Sequence, residues 1–193
     1  MKLWFWISIS VLSIALTGCA SPPLVATPLP EARVGVHSFA EMSYLPLSLN
    51  DAKTIRFDAD TSPVGRFPDG LGVYAAFSIE QQPSVSVLRI RTWASNEWLP
   101  LATILKPYVM FLDESKRVIS DVESFKGREG VSFFAGGYKE GYFPIPRTAR
   151  YFIAYSASSE SDRLVLSSAN GKLWAIPNAY SGKIEVRQEL LPQ

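Results

Sequence analysis

The chain has 193 residues, with 19 lysines and arginines against 18 aspartates and glutamates, one histidine and one cysteine. That near-neutral balance, with no basic cluster interleaved with aromatics, excludes nucleic acid as the expected partner. A lone cysteine excludes an internal disulfide, and one histidine with one cysteine excludes a His/Cys zinc site; that histidine, His37, is placed where a tether is expected to meet the domain, which argues against a Ser-His-Asp centre.

After Lys2 the mainly apolar run Leu3 to Ala15 closes on Leu16-Thr17-Gly18-Cys19. A basic start, a short apolar run and small residues predict a secretory signal too short to span a bilayer. The closing tetrad resembles a bacterial lipobox. In that motif the small Gly18 lets the peptidase approach, and the Cys19 thiol accepts a diacylglyceryl group before becoming the new amino terminus. Each buried methylene contributes roughly 0.8 kcal/mol, so two or three acyl chains hold a protein for good where one holds it marginally. Ala20-Ser21 lacks the aspartate that retains lipoproteins in an inner membrane, so the resemblance implies an anchor on the periplasmic face of an outer membrane. The expected organisation is a signal over 1–18, a lipidated Cys19 and Pro-rich tether over 19–40, and one folded domain over 41–193.

Pro22, Pro23, Pro28 and Pro30 break helix and remove ladder donors, which predicts an extended tether from Ala20 to about Val36. At about 3.1 Å per residue it would reach roughly 50 Å from the lipid. Ser38 to Met42 predicts a single helical turn, and the folded part is expected to begin near Tyr44.

From there apolar residues recur at every second position in short runs closed by turn residues, the pattern of strands. Ile55, Phe57 and Ala59 alternate with Thr54, Arg56 and Asp58. Val73, Ala75, Phe77 and Ile79 form the next inward face; Val85, Val87, Leu88 and Ile90 form a third. Trp98 to Leu105 predicts a fourth strand interrupted by Pro100. Tyr108 to Leu112 is continuously apolar, as in a strand buried on both faces. Asp113 to Lys116 turns the chain into Val118, Ile119 and Val122, a hairpin. Val131 to Phe134 and Tyr142 to Ile145 flank a glycine-rich stretch, Gly136 to Gly141. Tyr151 to Tyr155, Leu164 to Leu166, Leu173 to Ile176 and the alternating Ile184 and Val186 complete the set. The predicted class is all-β, an antiparallel β-sandwich of jelly-roll or Ig-like type, with a closed barrel as the alternative.

Three of these segments, Gly72 to Ile79, Pro107 to Asp113 and Tyr151 to Ser156, resemble the maltose operon periplasmic protein family, β-rich envelope proteins associated with maltodextrin uptake. The resemblance implies a location and a sugar-related setting. It brings no catalytic residues and no cofactor.

With no Gly-x-Ser-x-Gly elbow and a thiol expected to be acylated, no catalytic residue is assigned. Glycosidases need only two acids, and Asp58, Asp60 and Asp69 lie close in sequence. Those three are also the candidates for calcium, although the spacing is not that of an EF-hand. Aspartates beside Gly and Pro ordinarily cap turns.

Sugar recognition packs pyranose C–H groups on aromatic faces with polar partners at the rim. The candidates are Trp93 and Trp98, with Arg91, Asn96 and Glu97 beside them, and Tyr138 presented on a glycine loop; Trp93 and Trp174 read first as core, and the glycine stretch reads first as a hairpin with a solvated Lys139-Glu140 tip. The expected function is a non-enzymatic, membrane-anchored accessory to carbohydrate transport or glycan binding. Its partners would be a carbohydrate or an envelope protein such as a porin or transporter. The alternative is an assembly module that binds protein and no sugar.

Overall fold

The computed structural model describes residues 27–36, 38–81, 85–119, 123–125, 127–132, 136–157 and 163–190. The lipobox-like residues Leu16, Thr17, Gly18 and Cys19, Val122 of the expected hairpin and residues 133–135 lie outside them. The described chain forms β1 (Val34–Val36), β2 (Tyr44–Leu47), β3 (Ala52–Phe57), β4 (Val64–Phe67), β5 (Gly70–Ile79), β6 (Ser86–Trp93) and β7 (Tyr108–Leu112). It continues through β8 (Glu123–Ser124), β9 (Arg128–Ser132), β10 (Gly136–Pro144), β11 (Tyr151–Ala157), β12 (Arg163–Ser167), β13 (Leu173–Pro177) and β14 (Gly182–Leu190).

The strands make one sheet in the order β1-β4-β5-β11-β7-β8, with β2 also on β5, a second in the order β3-β14-β6-β10-β9, and the separate hairpin β12-β13. Four antiparallel pairs are nested along the chain: β3 with β14, β5 with β11, β6 with β10, and β7 with β8. Nested pairs divided between two sheets are the wrapped long hairpin of a jelly roll. The expected sandwich is therefore found, in its jelly-roll form. It carries two parallel additions, β1 on β4 and β2 on β5.

The main core lies between the sheets, where Val73, Phe77, Val109, Phe111, Phe152 and Ala154 meet Phe57, Leu88, Ile90, Phe143, Ile184 and Val186. The first sheet is buried on its other face too. There Tyr74, Ala76, Met110, Leu112, Ile153 and Tyr155 form a second cluster, capped by Met42 and Phe39. That cap is the predicted helical turn, a 3-10 helix over Phe39–Glu41 whose Ser38 side chain accepts from the Ala40 N–H. Lys116, at φ 62° in the β7 turn, sets its ammonium 3.4 Å from the centroid of the Tyr44 ring and 4.1 Å from that of Tyr151. Burial, with Tyr151 nearby, pushes the Tyr44 phenol up to about 12.

Three expectations are corrected. The folded part begins before residue 41: Leu29 is buried in the main core, β1 pairs with β4, and Arg33 donates to the carbonyls of Ala59 and Ser62. Prolines permit edge pairing, and Pro30 caps a short 3-10 helix over Glu31–Arg33 in a segment expected to be extended. Trp98 to Leu105 is not a strand but a 3-10 helix over Leu99–Leu101, followed by an irregular segment that plunges Ala102, Ile104 and Leu105 into the core. Its backbone groups are satisfied one at a time: Thr103 N–H by Ser95 Oγ at 2.9 Å, Ile104 N–H by the Pro177 carbonyl at 3.1 Å, and the Leu105 carbonyl by Thr92 Oγ1 at 2.6 Å. Gly136 to Gly141 is neither a loop nor the turn of a hairpin but most of β10. Gly130 faces Tyr138 across β9 and β10, and the Tyr138 ring fills the space a side chain would need there.

Double-sided burial of the first sheet makes its N-terminal cap a stability element. Truncating the buried Met42 to alanine is expected to cost roughly 2 to 5 kcal/mol, read as a lower urea midpoint with an unchanged m-value; no shift would show that the cap does not contribute.

Candidate functional site

The second sheet buries one face and opens the other, so the outward residues of its five strands form transverse rows set by register. One row reads Thr54, Glu185, Arg91, Glu140, Arg128 across β3, β14, β6, β10 and β9. Beside it Arg187, Arg89 and Tyr142 make the next. Opposite charges alternate along the first row, whereas the second sets Arg187 directly opposite Arg89 and has both neutralised by surrounding glutamates, Arg187 by Glu189 at 3.5 Å. Arg89 lies 3.8 Å from Glu140, 3.5 Å from Glu185 and 3.3 Å from Glu189, and Arg91 is paired with Glu140 and lies 3.8 Å from Glu185. Burial alone would push the Glu140 carboxyl up. The Tyr142 hydroxyl, which donates to it at 2.6 Å, and then Arg91 and Arg89 together hold it below the ordinary glutamate range.

The predicted ligand residues separate into two places. Trp93 and Tyr138 are cross-strand partners in the row beyond Arg91, with ring centroids 6.1 Å apart, and the Arg91 guanidinium lies 5.0 Å from the Tyr138 centroid. Arg91 is committed to glutamates and to this ring, so it is not the hydrogen-bond donor beside Trp98 that its sequence position implied. Tyr138 stands in a strand, not on a loop. The pair Lys139-Glu140 is no solvated tip either, because Lys139 lies 3.1 Å from Glu129 and Glu140 faces the arginines.

Trp98 stands elsewhere, 60% exposed at the start of the 3-10 helix. Asn96 Oδ1 accepts from the Trp98 backbone N–H at 2.8 Å, so Asn96 serves the loop before any ligand. Across a depression of about 410 Å³ Trp98 is joined by Trp174 of β13, with Glu97, Asn170 and Lys172 on the rim. Trp174 is half-buried against the main core, and the Lys172 ammonium lies 4.1 Å from its ring centroid. Trp174 thus belongs to the core and to this surface together. Two indole rings with an acid, an amide and an ammonium around them supply both the apolar faces and the rim donors and acceptors that a sugar ring requires.

The aspartates do not gather. Asp58 Oδ1 accepts from the N–H groups of Asp60 and Thr61 at 2.8 and 3.0 Å, the turn-capping arrangement. Those two bonds hold the exposed Asp58 carboxyl below its usual range. Asp69 instead accepts from the Tyr155 hydroxyl at 2.7 Å. Among the described residues no group of three His, Cys, Asp or Glu could hold a metal ion, so the calcium candidate is withdrawn.

No family model and no curated protein matches the chain. Among solved structures it is similar to the enzymatically active domain of tailspike protein 4 of bacteriophage CBA120, at 11% identity and TM-score 0.33, over 73% of this chain and 19% of that one. It is also similar to MopE, a copper-binding secreted protein of Methylococcus capsulatus, at 9% identity and TM-score 0.29, over 76% of this chain and 87% of that one. Likenesses this weak assign neither a fold family nor an activity.

Because the Glu140 carboxyl is held low in the folded chain, its contribution is complete above the unfolded glutamate value of about 4.3 and is lost as the pH falls through the lower folded value. Urea midpoints between pH 7 and pH 3 should fall in this window, and Glu140→Gln should flatten that part of the profile. An unchanged profile in the variant would remove Glu140 from the network.

Proposed function

We propose that the protein is a non-enzymatic lipoprotein of the outer membrane, anchored through Cys19 on the periplasmic side, whose jelly-roll domain binds neutral glycans of the maltodextrin kind in support of their uptake. The anchor reading rests on the lipobox-like tetrad, and the sugar setting on the resemblance to the maltose operon periplasmic protein family. The observation that carries the binding reading is Trp98: an indole left 60% exposed beside Trp174, with Glu97, Asn170 and Lys172 at the rim. Solvent exposure of a large aromatic costs burial energy that a core position would recover, so its retention beside a second indole favours a ligand face. Anchoring makes weak binding effective, because the domain meets a neighbouring porin, transporter or glycan at a local concentration set by linker reach.

A second reading has its own observation. On the hairpin β12-β13 the outward residues Val165 and Leu173 are 44% and 64% exposed, while Leu164 and Leu166 turn inward. Such an apolar strip suits a protein partner in the envelope and needs no sugar.

Two measurements separate these readings. Cys19→Ala is expected to move the protein from membranes to the soluble fraction with its urea midpoint unchanged; retention in membranes would refute the anchor. The full chain in detergent micelles should show tryptophan quenching by maltoheptaose that disappears in Trp98→Ala. Silence toward malto-oligosaccharides, together with binding to a porin or transporter that Leu173→Asp abolishes, would establish the second reading instead.

A further inference from the structure

Beyond the neutralised rows of the second sheet, Arg56 pairs with Lys183 across β3 and β14 and Trp93 with Tyr138 across β6 and β10, the two pairs adjoining just past Ile184 and Thr92, where the β14-β6 ladder ends. Arg56 and Lys183 are direct cross-strand partners, and the inward neighbours Phe57 and Ile184 place both on the open face. Like charges directly opposite, with Cβ atoms about 4.5 to 5.5 Å apart, are destabilising. Three arginines and three glutamates further along the same face compensate one another. Arg56 and Lys183 have no acidic partner within 4.0 Å among the described residues; the Lys183 ammonium rests instead 4.1 Å from the Trp93 ring centroid.

This uncompensated pair opens onto a cavity of about 530 Å³ lined by Arg56, Asp58, Trp93, Ser95 and Lys183. One group there has hydrogen-bonding capacity in reserve: Ser95 Oγ accepts from Thr103 N–H at 2.9 Å and from Thr103 Oγ1 at 3.1 Å, which leaves its own proton to donate, as an anion or a sugar hydroxyl requires. The charge count selects the anion: two cations less the Asp58 carboxylate, which is occupied by its own turn, leave one positive charge. One negative charge balances it, as a carboxylate carries, whereas a phosphate monoester carries about −1.5 to −2 near neutral pH.

We propose that this cavity binds the carboxylate of an acidic sugar, a uronic acid unit of a glycan, with Arg56 and Lys183 on the carboxylate, Ser95 donating to a ring hydroxyl, and the Trp93 and Tyr138 rings beside them for the adjoining unit. The site is separate from the Trp98 depression and stands if the neutral-glycan reading fails. In the full chain held in detergent micelles, calorimetric titration with trigalacturonate should give saturable binding. It should weaken at least tenfold in Arg56→Gln and in Lys183→Gln, weaken as salt is raised from 50 to 300 mM, and remain unchanged in Trp98→Ala. Maltotriose should not compete at this site, and glucose 6-phosphate should bind less tightly. Absence of saturable trigalacturonate binding, equal binding by both glutamine variants, or competition by maltotriose would overturn the proposal; tighter binding of glucose 6-phosphate would overturn the uronate assignment. Both variants are also expected to keep or raise the urea midpoint, since each relieves a like-charge contact, and a lower midpoint would show that the pair is compensated after all.

Discussion

Burial of β11 on both faces is the constraint from which the rest of the architecture follows. Phe152 and Ala154 point into the inter-sheet core, Ile153 and Tyr155 into the opposite cluster, and all four are fully buried. A strand of this kind needs two covers. One is the second sheet. The other has to come from elsewhere in the chain, and Phe39 and Met42 of the N-terminal segment supply it, with the tilted Tyr44 and Tyr151 rings in contact at its margin under Lys116. The described part of the segment that the prolines mark as a tether is thereby drawn into the domain. The polar atom that this face buries is dealt with locally, since the Tyr155 hydroxyl reaches Asp69. Burial first, and that carboxylate second, push the Tyr155 phenol far above its ordinary range and keep it neutral.

The second sheet, lying against only one cover, has the opposite consequence. Its outer face is free to carry charge, and the nested pairing that defines the jelly roll fixes which charges meet. A slip of one residue between β6 and β14 would send Ile184 and Val186 outward and bury Lys183, Glu185 and Arg187. Register is therefore specified from the core side, and the outer rows inherit it. Arg89, Arg91, Glu140 and Glu185 become neighbours because their inward companions Leu88, Ile90, Phe143 and Ile184 have to be. Glycine enters this face for room, not for a turn: Tyr138 lies over Gly130, and Phe125 packs against Gly141 on the other side. Covering a strand glycine with an aromatic ring restores the contact that the missing side chain forgoes.

Alternation made the regular strands legible, because period two is a property of adjacent residues. Ile55 and Phe57, or Ile184 and Val186, announce an inward face without any knowledge of the partner strand. What defeated the reading was apolar sequence without a ladder. Trp98 to Leu105 has strand composition because it is core, yet Pro100 and the crossing of the segment between the sheets hand its hydrogen bonds to Ser95, Pro177 and Thr92. Gly136 to Gly141 failed in the other direction, since the glycines suit a loop until a cross-strand tyrosine claims the space. At the sites, Trp98 could be singled out by the polar residues around it, whereas Trp174 and Lys183 acquire their neighbours through pairings more than seventy residues distant. The only local trace of the Lys183 site is that Lys183, Glu185 and Arg187 alternate with apolar residues, which marks them as exposed but leaves Arg56 and Trp93 unnamed.

The two candidate surfaces differ in the kind of order that makes them. The Trp98 depression is built where a 3-10 helix meets the turn of β12-β13, so its shape depends on loops whose backbone bonds are held by Asn96, Ser168 and Asn170. Surfaces made in this way tolerate adjustment and suit ligands met by packing and hydrogen bonds, of which neutral sugars are one. The Arg56-Lys183 pair is seated by ladder register, which carries Ile55 and Ile184 as well, so the backbone positions of the two cations are fixed while their side chains stay free to turn. A ligand bearing one negative charge would meet both without any backbone movement, which is the arrangement that favours selection by charge over selection by shape.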